Sequence, residues 1–212
     1  MVVVMEELEA RVTALELKRF KCPKDVPVDE SLRRARAHVE ALGLYSSRWK
    51  WVPEPYYTWE LEQRAKVLGA ASTLMLCKSL LLENKKVEAD GDSTNPRFVL
   101  VVLQYESELD VKKLAISIRK LRPVADRLEQ SQFDLRVADP DDNDRITGYA
   151  FNSVSPFGLK EPIPIILSSA IVPQGYFWMG GGHVHLKLGM SVSDFQKLPG
   201  TMTMECSVPR NR

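Results

Sequence analysis

The order of apolar and polar positions along the chain predicts a mixture of helices and strands. Helices are expected where apolar side chains recur every three or four residues or where capping residues bound a segment, at 5–19, 30–42, 58–68, 110–120 and in a last short helix that Ser193 opens. Asp29 is expected to cap the helix at 30–42, and the basic cluster on that helix (Arg33, Arg34 and Arg36) is expected to be a solvated face. Strands are expected where apolar residues alternate or run together, at 48–52, 73–82, 98–103, 133–137, 163–167, 176–179 and 183–188. The strands at 73–82 and 98–103 are expected to form a hairpin-like pair. The elements do not alternate strictly, so the pattern predicts an α+β fold with a mixed sheet.

The strand predicted at 73–82 contains a lysine, Lys78, among apolar residues. Because side chains alternate along a strand, Lys78 is expected to share a face with Leu76 and Leu80. An unpaired ammonium group in an apolar setting is costly. Two interpretations stay open: an edge residue whose ammonium group reaches water, or a lysine that projects into a cleft and holds an anion or polarises a carbonyl.

Glycines and a proline mark two further segments. Gly180, Gly181 and Gly182 separate the last two predicted strands. They form either a hairpin turn or a backbone that aims N–H groups at a ligand. Upstream, Gly148–Tyr149 and Ser155–Gly158 bracket a loop whose backbone Pro156 restricts. That loop either lines a tight pocket or is an ordinary connection.

Other catalytic patterns are weak in this sequence. His183 and His185 are expected on one strand face, but no third ligand for a metal lies near them. Cys77 stands in an apolar strand, which disfavours the thiolate that a nucleophile needs. The sequence contains no nucleophile elbow, phosphate-binding loop or dinucleotide fingerprint.

Composition excludes a strongly basic nucleic-acid binder. The 212 residues include 29 Lys and Arg against 28 Asp and Glu, a net charge of +1. Contact with a polyanion is therefore expected at a local patch. Three widely spaced cysteines argue against a disulfide framework and for a reducing compartment. With neither a secretory leader nor a long apolar stretch, we expect a soluble cytoplasmic protein.

Short segments of the chain follow one another in the order typical of a known family. They are Leu76–Leu81, Leu109–Ala115, Ala138–Pro140, Thr147–Tyr149, Val154–Gly158, Ile163–Ile166 and Gly180–Gly182. Over about residues 45–200 the chain resembles the YbaK/ProX family of aminoacyl-tRNA editing domains. This family also occurs as the insertion domain of bacterial prolyl-tRNA synthetases.

The resemblance implies a fold and an activity. The fold would be a mixed, largely antiparallel and barrel-like sheet surrounded by helices. The activity would be hydrolysis of the ester of a mischarged tRNA, removing alanine or cysteine from proline tRNA or another small amino acid, with no metal or organic cofactor. Lys78 would hold the 3′-terminal adenosine and the ester. The substrate-binding residues implied are Gly148, Asn152, Ser153, Val154, Ser155, Pro156, Gly180, Gly181, Gly182 and His185.

The sequence departs from the family at two of these positions. Asn152 stands where the pocket loop often has glycine, four residues before Pro156, and His185 falls near a position that is often acidic. These departures leave the amino-acid specificity open. They also leave open a non-catalytic module that binds tRNA or a synthetase complex.

The expected organisation has three parts. Residues 1–44 form a helical extension, which either caps the domain or docks to tRNA, to a synthetase complex or to a second copy of the chain. Residues 45–200 form the editing domain. Residues 201–212 form a loosely held tail.

Overall fold

The computed structural model describes residues 2–23, 26–88, 92 and 94–210. Its α-helices are α1 (Val2–Phe20), α2 (Glu30–Ala41), α3 (Leu61–Leu68), α4 (Val111–Arg119), α5 (Pro140–Thr147) and α6 (Val192–Phe195). Its strands are β1 (Arg48–Trp51), β2 (Cys77–Asn84), β3 (Phe98–Gln104), β4 (Ser107–Leu109), β5 (Leu135–Val137), β6 (Ile165–Ser168), β7 (Tyr176–His183), β8 (Leu186–Ser191), β9 (Thr201–Met204) and β10 (Ser207–Pro209). The predicted α+β class with mixed sheets is confirmed.

The helices begin and end at residues whose chemistry favours those positions. The Asp29 side chain accepts a hydrogen bond from the Leu32 amide at 2.9 Å at the start of α2. The Asp110 side chain caps α4 in the same way. Gly69 and Gly148 adopt left-handed backbone angles where α3 and α5 end, a conformation that glycine reaches without strain.

The main sheet has five strands in the order β5-β2-β3-β6-β9. The antiparallel pairing of β2 with β3 confirms the predicted hairpin-like pair, whereas β6 and β9 extend the sheet in parallel. Strand β3 is buried along its whole length. Leu100 and Val102 pack into one hydrophobic cluster, and Val99 and Val101 pack into the other. The apolar run therefore covers both faces of the sheet.

A second sheet, in the order β1-β8-β7, is antiparallel throughout. A parallel backbone bridge between Leu76 and Trp178 joins this sheet to the main sheet. The sheets are not closed, so the expectation of a barrel is wrong. Strands β5, β9 and β1 remain edges because no further pairing continues the ladder beyond them in the part of the chain that the structure describes.

Two local expectations are also corrected. The glycines Gly180–Gly182 do not form the turn between strands, because β7 continues through them to His183 with one irregularity in register. The segment after Gly200 is not loosely held. It forms β9 beside β6 and β10 beside β4, and Cys206 is fully buried. Residues 211 and 212 lie outside the described residues, and the division at residues 44 and 200 stays a prediction.

None of the helices in the described part of the chain combines the length and the apolar character that crossing a bilayer requires.

Candidate functional site

A cavity of about 490 Å³ opens beside the first half of β2. It exists because β5 pairs with β2 only at Leu82–Asn84, which leaves residues 77–81 of β2 without a neighbouring strand on that side. Its other walls come from α5, from the loop after α5, from β7 and β8, and from the turn that precedes α3. The cavity is thus a gap between the two sheets.

Lys78 lies on the wall of this cavity, in the half-buried part of β2. Its ammonium group is 6.0 Å from the centre of the Tyr105 ring. No hydrogen bond or ion pair joins it to another of the described residues. Burial lowers the pKa of Lys78; Arg210 lowers it further, and Glu108 opposes them. The cavity therefore contains a cation that has no carboxylate bound to it.

The loop after α5 contributes Asn152 and Val154 to the opposite wall. Asn152 has a left-handed backbone, with φ of 64°. Asparagine is among the few residues other than glycine that adopt this conformation readily. The backbone angle explains how asparagine replaces the glycine that is frequent at this position in the resembled family. Asn152 is exposed at the rim of the cavity lining.

Glycines of β7 allow this loop to pack closely. A Cβ atom on Gly180 would lie 2.2 Å from the Val154 carbonyl oxygen. Gly182 has φ of 90°, and its amide donates a hydrogen bond to the Ser153 carbonyl at 3.1 Å. Close approach of two backbones is the observed role of these glycines, and the Gly182 N–H is already used.

The structure brings some of the site residues expected from the sequence into the cavity and leaves others outside its lining. Those in the lining are Lys78, Asn152, Val154 and Gly180. Those outside it are Gly148, Ser153, Ser155, Pro156, Gly181, Gly182 and His185. His185 lies in the turn between β7 and β8, and its Nδ1 atom is buried without a hydrogen-bond partner. The Ser155 hydroxyl accepts a hydrogen bond from the Phe157 amide.

A second lysine in the cavity, Lys187, was missed by the sequence reasoning. It lies in β8 and is only 5% exposed. Its ammonium group donates hydrogen bonds to the Tyr57 hydroxyl at 2.5 Å and to the Val184 carbonyl at 3.1 Å. Burial lowers the pKa of Lys187 to about 7, and Arg64 adds to the effect. The available signal was its place between Leu186 and Leu188 in a short strand.

Aromatic residues surround this end of the cavity. The Arg64 guanidinium lies 5.6 Å from the ring centres of Tyr56, Tyr57 and Tyr105. Burial raises the pKa of all three phenols, so they stay neutral near neutral pH. Neutral hydroxyl groups and cations together suit a ligand with oxygen acceptors or negative charge.

Helix α2 holds the cavity loop from behind. Arg34 donates hydrogen bonds to the Gly148 carbonyl at 2.8 Å and to the Gly158 carbonyl. The Gly158 amide donates to His38 Nδ1 at 2.8 Å. The expectation that the basic cluster on this helix is a solvated face is therefore wrong for Arg34, because these carbonyl groups bind it. Arg33 and Arg36 do form ion pairs at the surface.

The geometry of the described residues gives less support to a metal site or to a cysteine nucleophile. Glu83, Asp139 and Asp142 place carboxylate oxygens close together, but Glu83 already pairs with Lys85 and Arg97. This group lies outside the cavity lining. Cys77 lines the cavity, yet complete burial raises the pKa of its thiol, which keeps it protonated.

Comparison with known proteins connects this geometry to a family. The sequence model described as aminoacyl-tRNA editing domain matches residues 55–198. No curated protein matches the chain significantly.

Solved structures agree in fold. A proposed trans-editing enzyme for prolyl-tRNA synthetase is 20% identical, with a TM-score of 0.64 over 85% of this chain and 99% of that one. A scaffold protein used for computational epitope grafting is 20% identical, with a TM-score of 0.65 over 86% and 100%. At these identities the likeness is one of fold, but the family match spans more than half of the sequence. The resemblance read from the sequence is confirmed, and the chain belongs to the aminoacyl-tRNA editing domain family.

Proposed function

We propose that this chain is a trans-editing deacylase that hydrolyses the ester of a mischarged tRNA in the cytoplasm, where tRNA is charged. The substrate class is a small amino acid on tRNA, of the kind of alanine or cysteine on proline tRNA. The products are the free amino acid and a tRNA with its terminal hydroxyl restored.

The observation that carries this proposal is the position of Lys78. Its half-buried ammonium group lies in the same cavity as Asn152, Val154 and Gly180. The cavity is large enough for an aminoacyl group and part of a terminal nucleoside, at about 490 Å³. Family membership indicates the substrate class, and the Lys78 ammonium group provides a positive charge that can bind the negatively charged groups of such a substrate.

The proposed chemistry needs few groups. Water attacks the ester carbonyl carbon, and negative charge develops on the carbonyl oxygen before the sugar oxygen leaves and takes up a proton. An ammonium group held in place stabilises such a charge or a nearby phosphate. Lys78 has this role. Asn152 and Val154 would contact the amino acid and limit its size.

Deacylation measured with matched lysine variants tests the proposal. Proline tRNA charged with alanine or cysteine is incubated with the wild type, with Lys78→Ala and with Lys86→Ala. Lys86 is exposed and follows the far end of β2, outside the cavity lining. We expect Lys78→Ala to lose about 100-fold or more of the rate, as on removal of one oxyanion-stabilising group. Lys86→Ala should match the wild type.

The proposed deacylase function would be contradicted if Lys78→Ala kept the wild-type rate, or if the wild type hydrolysed none of the aminoacyl-tRNAs tried. If tRNA binding survived without hydrolysis, the non-catalytic binding module would replace it. Folding of each variant is checked by its thermal denaturation.

We also propose that α1 joins two copies of the chain. Its apolar residues Met5, Leu8, Val12 and Leu15 are 47% to 68% exposed. Acidic residues lie near its start (Glu6, Glu7, Glu9), and basic residues lie near its end (Lys18, and Arg19, which also pairs with Glu40 of α2). In an antiparallel pair, each acidic end would face the basic end of the other helix. A synthetase complex is the alternative partner.

A further inference from the structure

Lys187 occupies a setting that is unfavourable for a lysine. Strand β8 is the central strand of its sheet, and Lys187 pairs with Lys50 on β1 and with Gly180 on β7. Its side chain is buried against the rings of Tyr57 and Tyr56, with the ammonium group 4.4 and 5.3 Å from their centres. No carboxylate pairs with it among the described residues. An apolar residue of similar size would avoid this desolvation cost.

A chain of hydrogen bonds runs from this lysine to the loop of the cavity. The Lys187 ammonium group donates to the Tyr57 hydroxyl at 2.5 Å, and that hydroxyl donates to the Asn152 carbonyl at 2.7 Å. Asn152 is the residue with the left-handed backbone. The bond from Tyr57 therefore acts on the loop at the residue where its backbone changes direction.

We propose that Lys187 is a positioning residue: through Tyr57 it holds the Asn152 loop against the cavity, and its protonation sets how firmly the loop is held. The role in substrate binding rests on the proposed function, whereas the hold on the loop does not. Lys187 acts through Tyr57 and need not touch the reacting atoms.

The charged groups around Lys187 come from several elements. Arg64 of α3 is positive and lowers the pKa of Lys187 beyond the effect of burial. Burial lowers the pKa of His183 on β7, and Lys187 lowers it further. Lys78 of β2 lines the same cavity, and Lys50 of β1 is exposed. Asp144 of α5 is the acidic residue of the cavity lining. Tyr56, Tyr57 and Tyr105 are neutral near neutral pH. The positive surroundings and the burial favour loss of the Lys187 proton near neutral pH.

The direction of the pH effect follows. Below about pH 7 the ammonium group makes a charge-assisted bond to Tyr57, and above it a neutral amine donates a weaker one. The loop should therefore be held less firmly as pH rises. Removing the Tyr57 hydroxyl should abolish this dependence even though Lys187 keeps its charge.

Hydrogen exchange of the free protein tests the proposal without substrate. The reporters are the Ser153 amide, bonded to the Ala150 carbonyl, and the Gly182 amide, bonded to the Ser153 carbonyl. We expect their protection factors in the wild type to fall about fivefold between pH 6 and pH 8.5. The Val101 amide in the buried strand β3 serves as an internal reference for global opening.

Variants separate positioning from other roles. Lys187→Met and Tyr57→Phe should show the low protection at both pH values, and Lys187→Arg should keep the high protection at both. Lys66→Met, which removes an exposed lysine of α3, should behave as the wild type. Protection that does not change with pH in the wild type, or a pH dependence that survives in Tyr57→Phe, would overturn the proposal.

Deacylation kinetics add a second reading. If the proposed function holds, Lys187→Met should raise KM about fivefold at pH 6 with kcat little changed, and lose the pH dependence of KM. An effect on kcat alone would contradict positioning of the loop. If no deacylation is found, the exchange measurements still decide whether Lys187 holds the loop.

Discussion

At the residue scale, two lysines that lie in strands, Lys78 and Lys187, differ in how clearly the sequence indicated them. Lys78 was singled out because it interrupts an apolar run, and the structure places it on the cavity wall. Lys187 was read as one polar position in an alternating strand, yet it is 5% exposed. Alternation indicates which residues share a face, but only the neighbouring elements determine whether that face meets water.

Replacement of Lys187 by methionine should change stability in a pH-dependent way. The pKa of Lys187 is lowered from 10.5 to about 7 in the folded protein, so the unfolded chain binds more protons between these values. The stability of the wild type relative to Lys187→Met should therefore rise by about 1.4 kcal/mol per pH unit in this window. Below about pH 7 both states are protonated, and the difference should be flat.

Urea denaturation of both proteins at pH 6, 8 and 9 measures this difference. Compared with the wild type, Lys187→Met should be most stable at pH 6, and its stability relative to the wild type should fall as pH rises. Lys66→Met provides the control, because its lysine is exposed in the folded state. If the difference in free energy of unfolding between the two proteins were the same at all three pH values, burial would not lower the pKa of Lys187.

At the element scale, helix α2 is part of the support for the cavity. It lies before residue 55, where the family match begins, yet its Arg34 and His38 bind backbone groups of Gly148 and Gly158. The sequence predicted the helix and its cap correctly. It did not indicate which of three neighbouring arginines would bind the cavity loop, since that depends on a segment more than a hundred residues later.

Arg34→Met should destabilise the fold by about 2–3 kcal/mol, because it leaves two carbonyl groups without their charged donor. Arg33→Met removes only a surface ion pair with Glu16 and should cost less than about 1 kcal/mol. Chemical denaturation of the two variants compares a bridging arginine with an exposed one on the same helix. Equal losses would contradict the proposed support by α2.

At the scale of the whole molecule, α1 presents an exposed apolar stripe beyond its contact with the rest of the protein. The last residue of α1, Phe20, is buried, and its carbonyl accepts a hydrogen bond from the Trp51 indole at 2.9 Å. The stripe formed by Met5, Leu8, Val12 and Leu15 lies on the earlier turns. The end of α1 is therefore anchored to the rest of the protein, and the apolar stripe on its earlier turns is available to a partner.

Deletion of residues 1–17, which keeps Phe20, should abolish self-association. We expect the full chain to have about twice the mass of one chain in light scattering at micromolar concentration, and the shortened chain to be monomeric. A matched variant, Leu8→Glu with Leu15→Glu, should also be monomeric and retain α1. Identical masses for all three proteins would remove the proposed pairing.

The sequence by itself determined the α+β class, the β2–β3 pair, the main helices and the family, because these depend on local periodicity, capping residues and the order of short motifs. It also singled out Lys78 and Asn152, which the structure places in the lining of the cavity. Tertiary structure decided that the sheets remain open, that the glycines of β7 continue a strand, and that Lys187, Tyr57 and Arg34 support the cavity loop. These features depend on contacts between distant segments, and no local pattern encodes which segments meet.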